Sequence, residues 1–328
     1  MQKRVLILGS DSDANTMLAN LHLYAQSING STFTFGNCIF TVINSGVFDA
    51  VLVFNNVSQM VTVNTYSNSI YVFMLEPGLP HHHPYMYHNL QQYAKVFSPV
   101  AVSDNTVVSH GYLGWYISKS YHQLSALLPP NKPQQVSLIA SGKNEFVGHR
   151  NRLHFVRQLT QTNLPINYFG FDAYKLPRLI NKEDALLPYK YSIAIENTSM
   201  PHYFTEKLID CFLCYTVPFY YGCTNINTYF DSNAYIWIDI TKPTEAIQII
   251  KQTLSDVNDY ERRLPAIIDA RNKVLNQYQP LSGINNLIDN NNNKAGLLKP
   301  ITLKPVAHST YSLICIKLNK LWVQWWYK

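Results

Sequence analysis

The sequence predicts an α/β fold arranged as two domains, and three observations carry that expectation. Short apolar runs of strand length alternate with longer polar, helix-compatible stretches. A proline-rich break separates two such series, and 328 residues exceed the roughly 100–200 residues of one domain. In the first series Val5–Leu8 reads as a strand, Ala14–Gln26 as a helix, and Phe48–Phe54, Ile70–Met74 and Lys95–Phe97 as further strands. Strands alternating with helices in this way build a parallel sheet from βα units. Leu128-Pro129-Pro130-Asn131-Lys132-Pro133 then interrupts the pattern as a linker would. The expected division is a first domain over 1–128, a linker over 129–135, a second domain over 136–300 and a tail over 301–328.

In the second series Val136–Ala140 is a strand and Arg150–Leu159 a helix. Ile166–Phe169 and Tyr191–Ile195 are strands, Thr205–Tyr215 is a helix, and Val217–Tyr221 and Tyr235–Ile238 are strands. Helical periodicity returns in Thr244–Leu254 and Asp256–Asn276, and Asn290–Asn293 reads as a loop. The tail from Tyr311 to Lys328 mixes Trp322, Trp325 and Trp326 with Lys317, Lys320 and Lys328. It is too short and too charged to span a bilayer. Tryptophans beside lysines suit either a helix lying in the headgroup region of an anionic membrane or a last helix packed on the body.

Composition excludes several classes. With 47% hydrophobic and 14% charged residues the chain is too apolar for disorder. Met1–Arg4 leads directly into a strand without the apolar core of a signal peptide, so the expected location is cytoplasmic, peripheral to the cytosolic membrane face if the tail binds there. Five cysteines form no disulfide framework and are read as reduced and mostly buried. The net charge of +6 favours an anionic partner. No clustered basic stripe supports nucleic acid as that partner. Neither a G-x-G-x-x-G fingerprint nor a Walker loop is present, which disfavours NAD and ATP, and no G-x-S-x-G elbow supports a serine hydrolase. Asp11-Ser12-Asp13 has the spacing of a metal–diphosphate motif, but directly after the first strand it reads as turn and helix cap. His81-His82-His83 with His88 lacks the further ligands of a zinc site and reads as a polar loop.

The most informative stretch is YKYSIAIENTSMPHYFTEKLIDCFLCYTVPFYYG, from Tyr189 to Gly222. A buried strand ends at Glu196-Asn197-Thr198, a loop follows, and Thr205 sits where a helix N-cap belongs. Helix-start amides, the positive end of the dipole and Lys207 together would suit a phosphate. Lysine in a first turn otherwise opposes the dipole. The alternative is that Lys207 points to solvent and Glu206 meets the ordinary preference for acid there.

Glu196-Asn197-Thr198, Tyr203, Thr205-Glu206-Lys207, Val217-Pro218 and Gly222 together closely resemble the nucleotide-sugar segment of the alpha-1,3-fucosyltransferase family, glycosyltransferase family 10. Ser141-Gly142-Lys143 and Gly148-His149-Arg150-Asn151-Arg152 are similar to the bacterial branch of that family. The resemblance implies a GT-B architecture, two Rossmann-like domains facing a cleft, with the donor in the second and the acceptor facing the first. It implies diphosphate contacts from Arg152 and Lys207, with Arg150 as fallback for Arg152. Glu206 and Tyr203 would contact the nucleoside sugar region, and Asn197, Thr198 and Thr205 would line the donor pocket. The general base would be Glu76, in the similar string Tyr71–Gly78, where the family's serine is missing.

The implied activity is inverting transfer of L-fucose from GDP-fucose to a hydroxyl of an oligosaccharide or lipid-linked glycan. The linkage would be alpha-1,3 or alpha-1,4, the setting bacterial surface-glycan synthesis, with no cofactor and no required metal. Two alternatives stay open: another GDP-deoxyhexose donor, and a non-catalytic glycan- or lipid-binding protein on the same fold.

Overall fold

The computed structural model describes residues 2–9, 12–75, 89–141, 147–170, 179–290 and 296–305. The chain divides into two compact units. The first takes the described parts of Met1–Leu113, Ser120–His122 and Gln277–Lys328, and the second takes Gly114–Lys119 and Gln123–Asn276.

The first unit opens with β1 (Lys3–Gly9), α1 (Ser12–Tyr24), β2 (Ser27–Asn29), β3 (Thr32–Phe35) and β4 (Cys38–Thr41). It continues through β5 (Val47–Phe48), β6 (Ala50–Phe54), β7 (Val61–Tyr66), β8 (Ile70–Phe73), β9 (Lys95–Ser98) and β10 (Thr106–Val108). Its main sheet has the order β10-β9-β8-β6-β1-β4-β3-β2, parallel from β10 to β4 and antiparallel over β4-β3-β2. Every residue of β6, Ala-Val-Leu-Val-Phe, is buried. A continuous apolar run is what a strand covered on both faces requires, and each such Val or Leu contributes about 1.5–3 kcal/mol by leaving water.

The second unit follows α2 (Tyr121–Ala126), whose first residues belong to the first unit, with β11 (Gln134–Ala140), α3 (Val147–Leu159), β12 (Ile166–Gly170), β13 (Tyr189–Ile195), α4 (Glu206–Leu213), β14 (Val217–Tyr221), β15 (Ile236–Trp237), α5 (Pro243–Ser255) and α6 (Asp259–Lys273). Its five strands are all parallel, in the order β12-β11-β13-β14-β15. The helix α3 buries His149, Arg152, Phe155, Val156 and Leu159, a stripe at helical spacing that carries one arginine into the interior. In α4 every residue from Leu208 to Leu213 is buried, Asp210 included.

Beyond α6 a π-helical turn (Val274–Tyr278) leads into α7 (Pro280–Asn290) and β16 (Leu298–Leu303). Here the structure differs from the expected division. β16 pairs antiparallel with β7, Ile301 opposite Val63, so this last described strand completes a three-stranded sheet of the first unit, β16-β7-β5. Long-range pairing, not local pattern, assigns the segment. The proline-rich stretch is also docked: Lys132 is 7% exposed, and its Nζ donates to Leu186 O (3.1 Å), Cys214 O (2.6 Å) and Thr216 Oγ1 (3.0 Å). Three acceptors offset part of the cost of burying an ammonium.

Cys38, Cys211, Cys214 and Cys223 are free thiols and buried. Among the described residues no helix is long and apolar enough to cross a membrane. Residues 311–328 lie outside the described set, so the membrane expectation for the tail has no structural counterpart here.

Candidate functional site

In the second unit β11 has β12 on one side and β13 on the other, so the chain leaves β11 in one direction and later resumes in the opposite one. At such a reversal the loops beyond the strand ends diverge and leave a crevice at the carboxyl edge of the sheet. Candidate site residues gather there.

Two consecutive residues at the exit of β13 organise the region. Glu196 still follows the ladder, its N–H donating to Tyr221 O at 2.8 Å, so it and Asn197 send their side chains to opposite sides. Asn197 meets Arg152: the guanidinium donates to Asn197 Oδ1 (3.3 Å), Ser141 O (3.3 Å) and Ser141 Oγ (2.9 Å). Arg152 thus ties the exit of β11 to the exit of β13, across the reversal. The approach is close because Gly148, in the first turn of α3, lies on the Asn197 backbone; a Cβ at Gly148 would stand 1.8 Å from Asn197 O.

Glu196 meets α4. This fully buried carboxylate accepts from Thr205 N (2.7 Å) and Thr205 Oγ1 (2.6 Å) and pairs with Lys207 Nζ at 3.5 Å. Thr205 caps α4 in extended backbone, its hydroxyl accepting from Lys207 N at 3.4 Å. Lys207 Nζ also donates to Thr205 Oγ1 (3.2 Å) and Glu206 Oε1 (3.1 Å). The first-turn amides are largely committed: Leu208 and Ile209 N–H both reach Thr205 O. An anion here would therefore be met mainly by side-chain cations, a narrower arrangement than the helix-start amides the sequence suggests.

Electrostatics sharpen the site. Burial pushes the Glu196 carboxyl up against the pull of Lys207 and Thr205. Burial would also raise Glu206, yet Lys207 and Lys182 outweigh it and hold that carboxyl at about 2. Lys207 loses to burial but gains more from Glu206 and Glu196, so its ammonium is stabilised. Behind this cluster Lys182 Nζ pairs with buried Asp210 at 2.7 Å, and Asp210 Oδ1 accepts from Tyr116 N at 3.0 Å. Burial pushes Asp210 up to about 6 despite Lys182.

The expected donor-pocket residues fall as follows. At the exit of β13, Arg152 and Asn197 form one set of contacts and Thr205, Glu206 and Lys207, with Glu196, form another. Thr198 is half-buried in the next loop and Tyr203 is buried before the cap. Arg150 is half-buried in the same helix, and Arg152 is the arginine bound to Asn197.

Glu76 and His81, His82, His83 and His88 lie outside the described residues, as does Asp11. The chain is described up to Leu75, whose N–H donates to Asn55 Oδ1 at 2.7 Å. Asn55 holds a φ of 57°, a left-handed conformation that asparagine tolerates. Among the described residues no group of three His, Cys, Asp or Glu side chains is placed to hold a metal ion.

Sequence reasoning did not assign roles to Glu196, Ser141, Lys182 or Asp210. A signal existed for two of them. An acid ending the apolar run Ser192-Ile193-Ala194-Ile195, and another inside Leu208-Ile209-Asp210-Cys211, are charges where burial is expected.

Residues 129–264 match the family model described as Glycosyltransferase family 10 (fucosyltransferase) C-term. The matched range lies within the second unit and includes the Tyr189–Gly222 string. An alpha-(1,3)-fucosyltransferase, FucT, of Helicobacter pylori is 23% identical over 189 residues, covering 56% of this chain and 38% of that protein. A putative fucosyltransferase-like protein of Arabidopsis thaliana is 32% identical over 120 residues, covering 36% of this chain and 22% of that protein. The chain thus spans well under half the length of these relatives. A crystal structure of an alpha1,3-fucosyltransferase superposes with a TM-score of 0.47 at 15% identity, covering 85% of this chain and 91% of that one.

Proposed function

We propose that the chain is an inverting glycosyltransferase that moves L-fucose from GDP-fucose to a hydroxyl of an oligosaccharide or lipid-linked glycan, forming an alpha-1,3 or alpha-1,4 linkage in bacterial surface-glycan synthesis. One observation carries the reading: Arg152 and Lys207 are both fixed to the consecutive residues Asn197 and Glu196 at the topological reversal of the second sheet. Two cations anchored to neighbouring residues at one strand end suit a diphosphate, and the segment holding them lies within the range matched by the fucosyltransferase family model.

In the proposed reaction the acceptor oxygen attacks the donor's C1 as its proton passes to Glu76, and the bond from C1 to the diphosphate oxygen breaks on the opposite face. The configuration at C1 inverts, and GDP departs with the bonding electron pair. A planar guanidinium on Arg152 and the ammonium of Lys207 meet the charge that develops there, so cationic side chains supply what a metal supplies elsewhere. Asn197, Thr198 and Tyr203 would line the donor pocket, and Glu206 would face the nucleoside's ribose.

Calorimetric titration with GDP, UDP and CDP, with and without EDTA, tests the reading. Binding selective for GDP and indifferent to EDTA is expected, followed by fucosyl transfer to an oligosaccharide. Preference for UDP or CDP removes the proposed donor, and GDP binding without transfer to any glycan favours a non-catalytic role.

A further inference from the structure

The cap of α4 ties one hydroxyl between a buried carboxylate and a lysine. Thr205 Oγ1 has a single hydrogen and two lone pairs. Its hydrogen points to Glu196 Oε2 at 2.6 Å, and both lone pairs receive donors from Lys207, the backbone N–H at 3.4 Å and Nζ at 3.2 Å. The other oxygen of Glu196 takes the Thr205 N–H at 2.7 Å. A buried carboxylate, acceptor-only when ionised, therefore fixes the direction of the hydroxyl, and the hydroxyl fixes the ammonium. We infer that Glu196 is a positioning residue for donor binding: it orients the Thr205 hydroxyl so that Lys207 presents its ammonium to the diphosphate. This rests on the proposed role of Lys207 as a diphosphate ligand.

Glu196 is suited to this and little else. It is fully buried, and its side chain packs on Gly222, where a Cβ would lie 2.4 Å from Glu196 Cγ. It is set in place by the strand, because its backbone N–H completes the ladder to Tyr221. Burying an ionised carboxylate is costly, and such a charge is tolerated only when paired and hydrogen-bonded. Thr205 and Lys207 supply both conditions.

Glu196→Gln isolates the effect because shape is kept and direction is lost. If the amide oxygen keeps the Thr205 N–H, the amide nitrogen donates to Thr205 Oγ1, which then faces three donors with two lone pairs. If the amide is flipped, its NH2 meets the Thr205 N–H, donor against donor. In the first case Lys207 loses its place on the hydroxyl, in the second the cap itself is disrupted, and in both the charge of Glu196 is gone, leaving Glu206 as the carboxylate beside the ammonium.

GDP is the probe, titrated into the full chain. Glu196→Gln is expected to weaken GDP binding about tenfold, the scale of one hydrogen bond to a charged group. Thr205→Val should weaken it comparably, and Thr205→Ser, which keeps the hydroxyl, should bind GDP more tightly than Thr205→Val. The double variant Glu196→Gln/Thr205→Val should be no weaker than the weaker single variant, because both cut one chain of contacts.

The pH profile separates positioning from damage to the fold. Lys207 faces Glu196, Glu206 and Lys182, and losing Glu196 removes one of the two carboxylates that keep it cationic. The alkaline fall in GDP affinity should therefore begin at lower pH in Glu196→Gln than in wild type. Loss of folded protein alone would scale the profile without moving it. Wild-type GDP affinity in Glu196→Gln, or independent effects in the double variant, overturns the inference. If Glu196→Gln does not fold, the contrast between Thr205→Ser and Thr205→Val decides. Unchanged GDP binding in Lys207→Ala overturns something different, the role of Lys207 itself.

Discussion

Lys132 allows a test in which the sign and the size both come from the structure. Its ammonium is buried without a carboxylate partner, and burial pulls its pKa from 10.5 down to about 7, only partly opposed by Cys214 and Cys211. The unfolded chain holds this proton up to about pH 10.5, whereas the folded chain releases it near 7. Between those values the unfolded state binds more protons, so folding stability must rise with pH. Each unit of pH contributes about 1.4 kcal/mol once the folded form is deprotonated, which gives roughly 2 kcal/mol between pH 7 and pH 9 after allowing for half-titration at the start. The perturbation is Lys132→Met, which keeps the stem and removes the proton. Urea unfolding at pH 7, 8 and 9, followed by hydrogen exchange of the β13 amides so that the second unit is read by itself, should show the rise in wild type. The difference between wild type and variant should change by that amount across the range. Parallel pH dependences in the two proteins would refute the reasoning, and Lys132 would then be charged and paid for by its three acceptors alone.

Three further outcomes are expected. Gly148→Ala places a methyl group against Asn197 O, and moving α3 away should cost about 1–3 kcal/mol of second-unit stability and weaken GDP binding, both measurable by thermal melting with and without GDP. Arg152→Lys keeps the charge but cannot hold Ser141 and Asn197 together, so GDP affinity should fall about tenfold, and an unchanged affinity in titration would show that only the charge matters. Glu76→Gln should bind GDP normally while transfer falls by about 10²–10⁴, as for loss of a general base, and normal turnover would remove Glu76 from the mechanism.

The strands buried on both faces were legible in the sequence because continuous apolar runs leave them no other place. β6, β11, β13 and β14 begin and end within a few residues of their expected bounds. The hairpin strands β2, β3 and β4 were not expected. Their residues, such as Thr32-Phe33-Thr34-Phe35, carry a period-two signal too short to stand out, and their stability comes from pairing with each other and with β1. β16 was beyond local reading altogether, since Lys299-Pro300-Ile301-Thr302 becomes a strand only against β7. In the site, Thr205 and Lys207 were legible through helix-start chemistry. Glu196 was visible as a letter without a role, because which hydrogen a carboxylate receives depends on a partner nine residues away. The burial of Lys132 was not legible within the stretch read as a linker, because the carbonyl and hydroxyl acceptors converging on it come from Leu186, Cys214 and Thr216 and are a property of the folded unit.

The return of the chain to the first unit sets an order of events during synthesis. All five strands of the second unit lie between Gln134 and Trp237, and they leave the ribosome before α7 and β16 exist outside it. A contiguous parallel sheet can close while the nascent chain is still growing. β7, in contrast, has β5 on one side and waits on the other for a partner that emerges more than two hundred residues later. Until then that edge of β7 is a row of unpaired backbone N–H and C=O groups, open to another chain if synthesis stalls before β16 emerges.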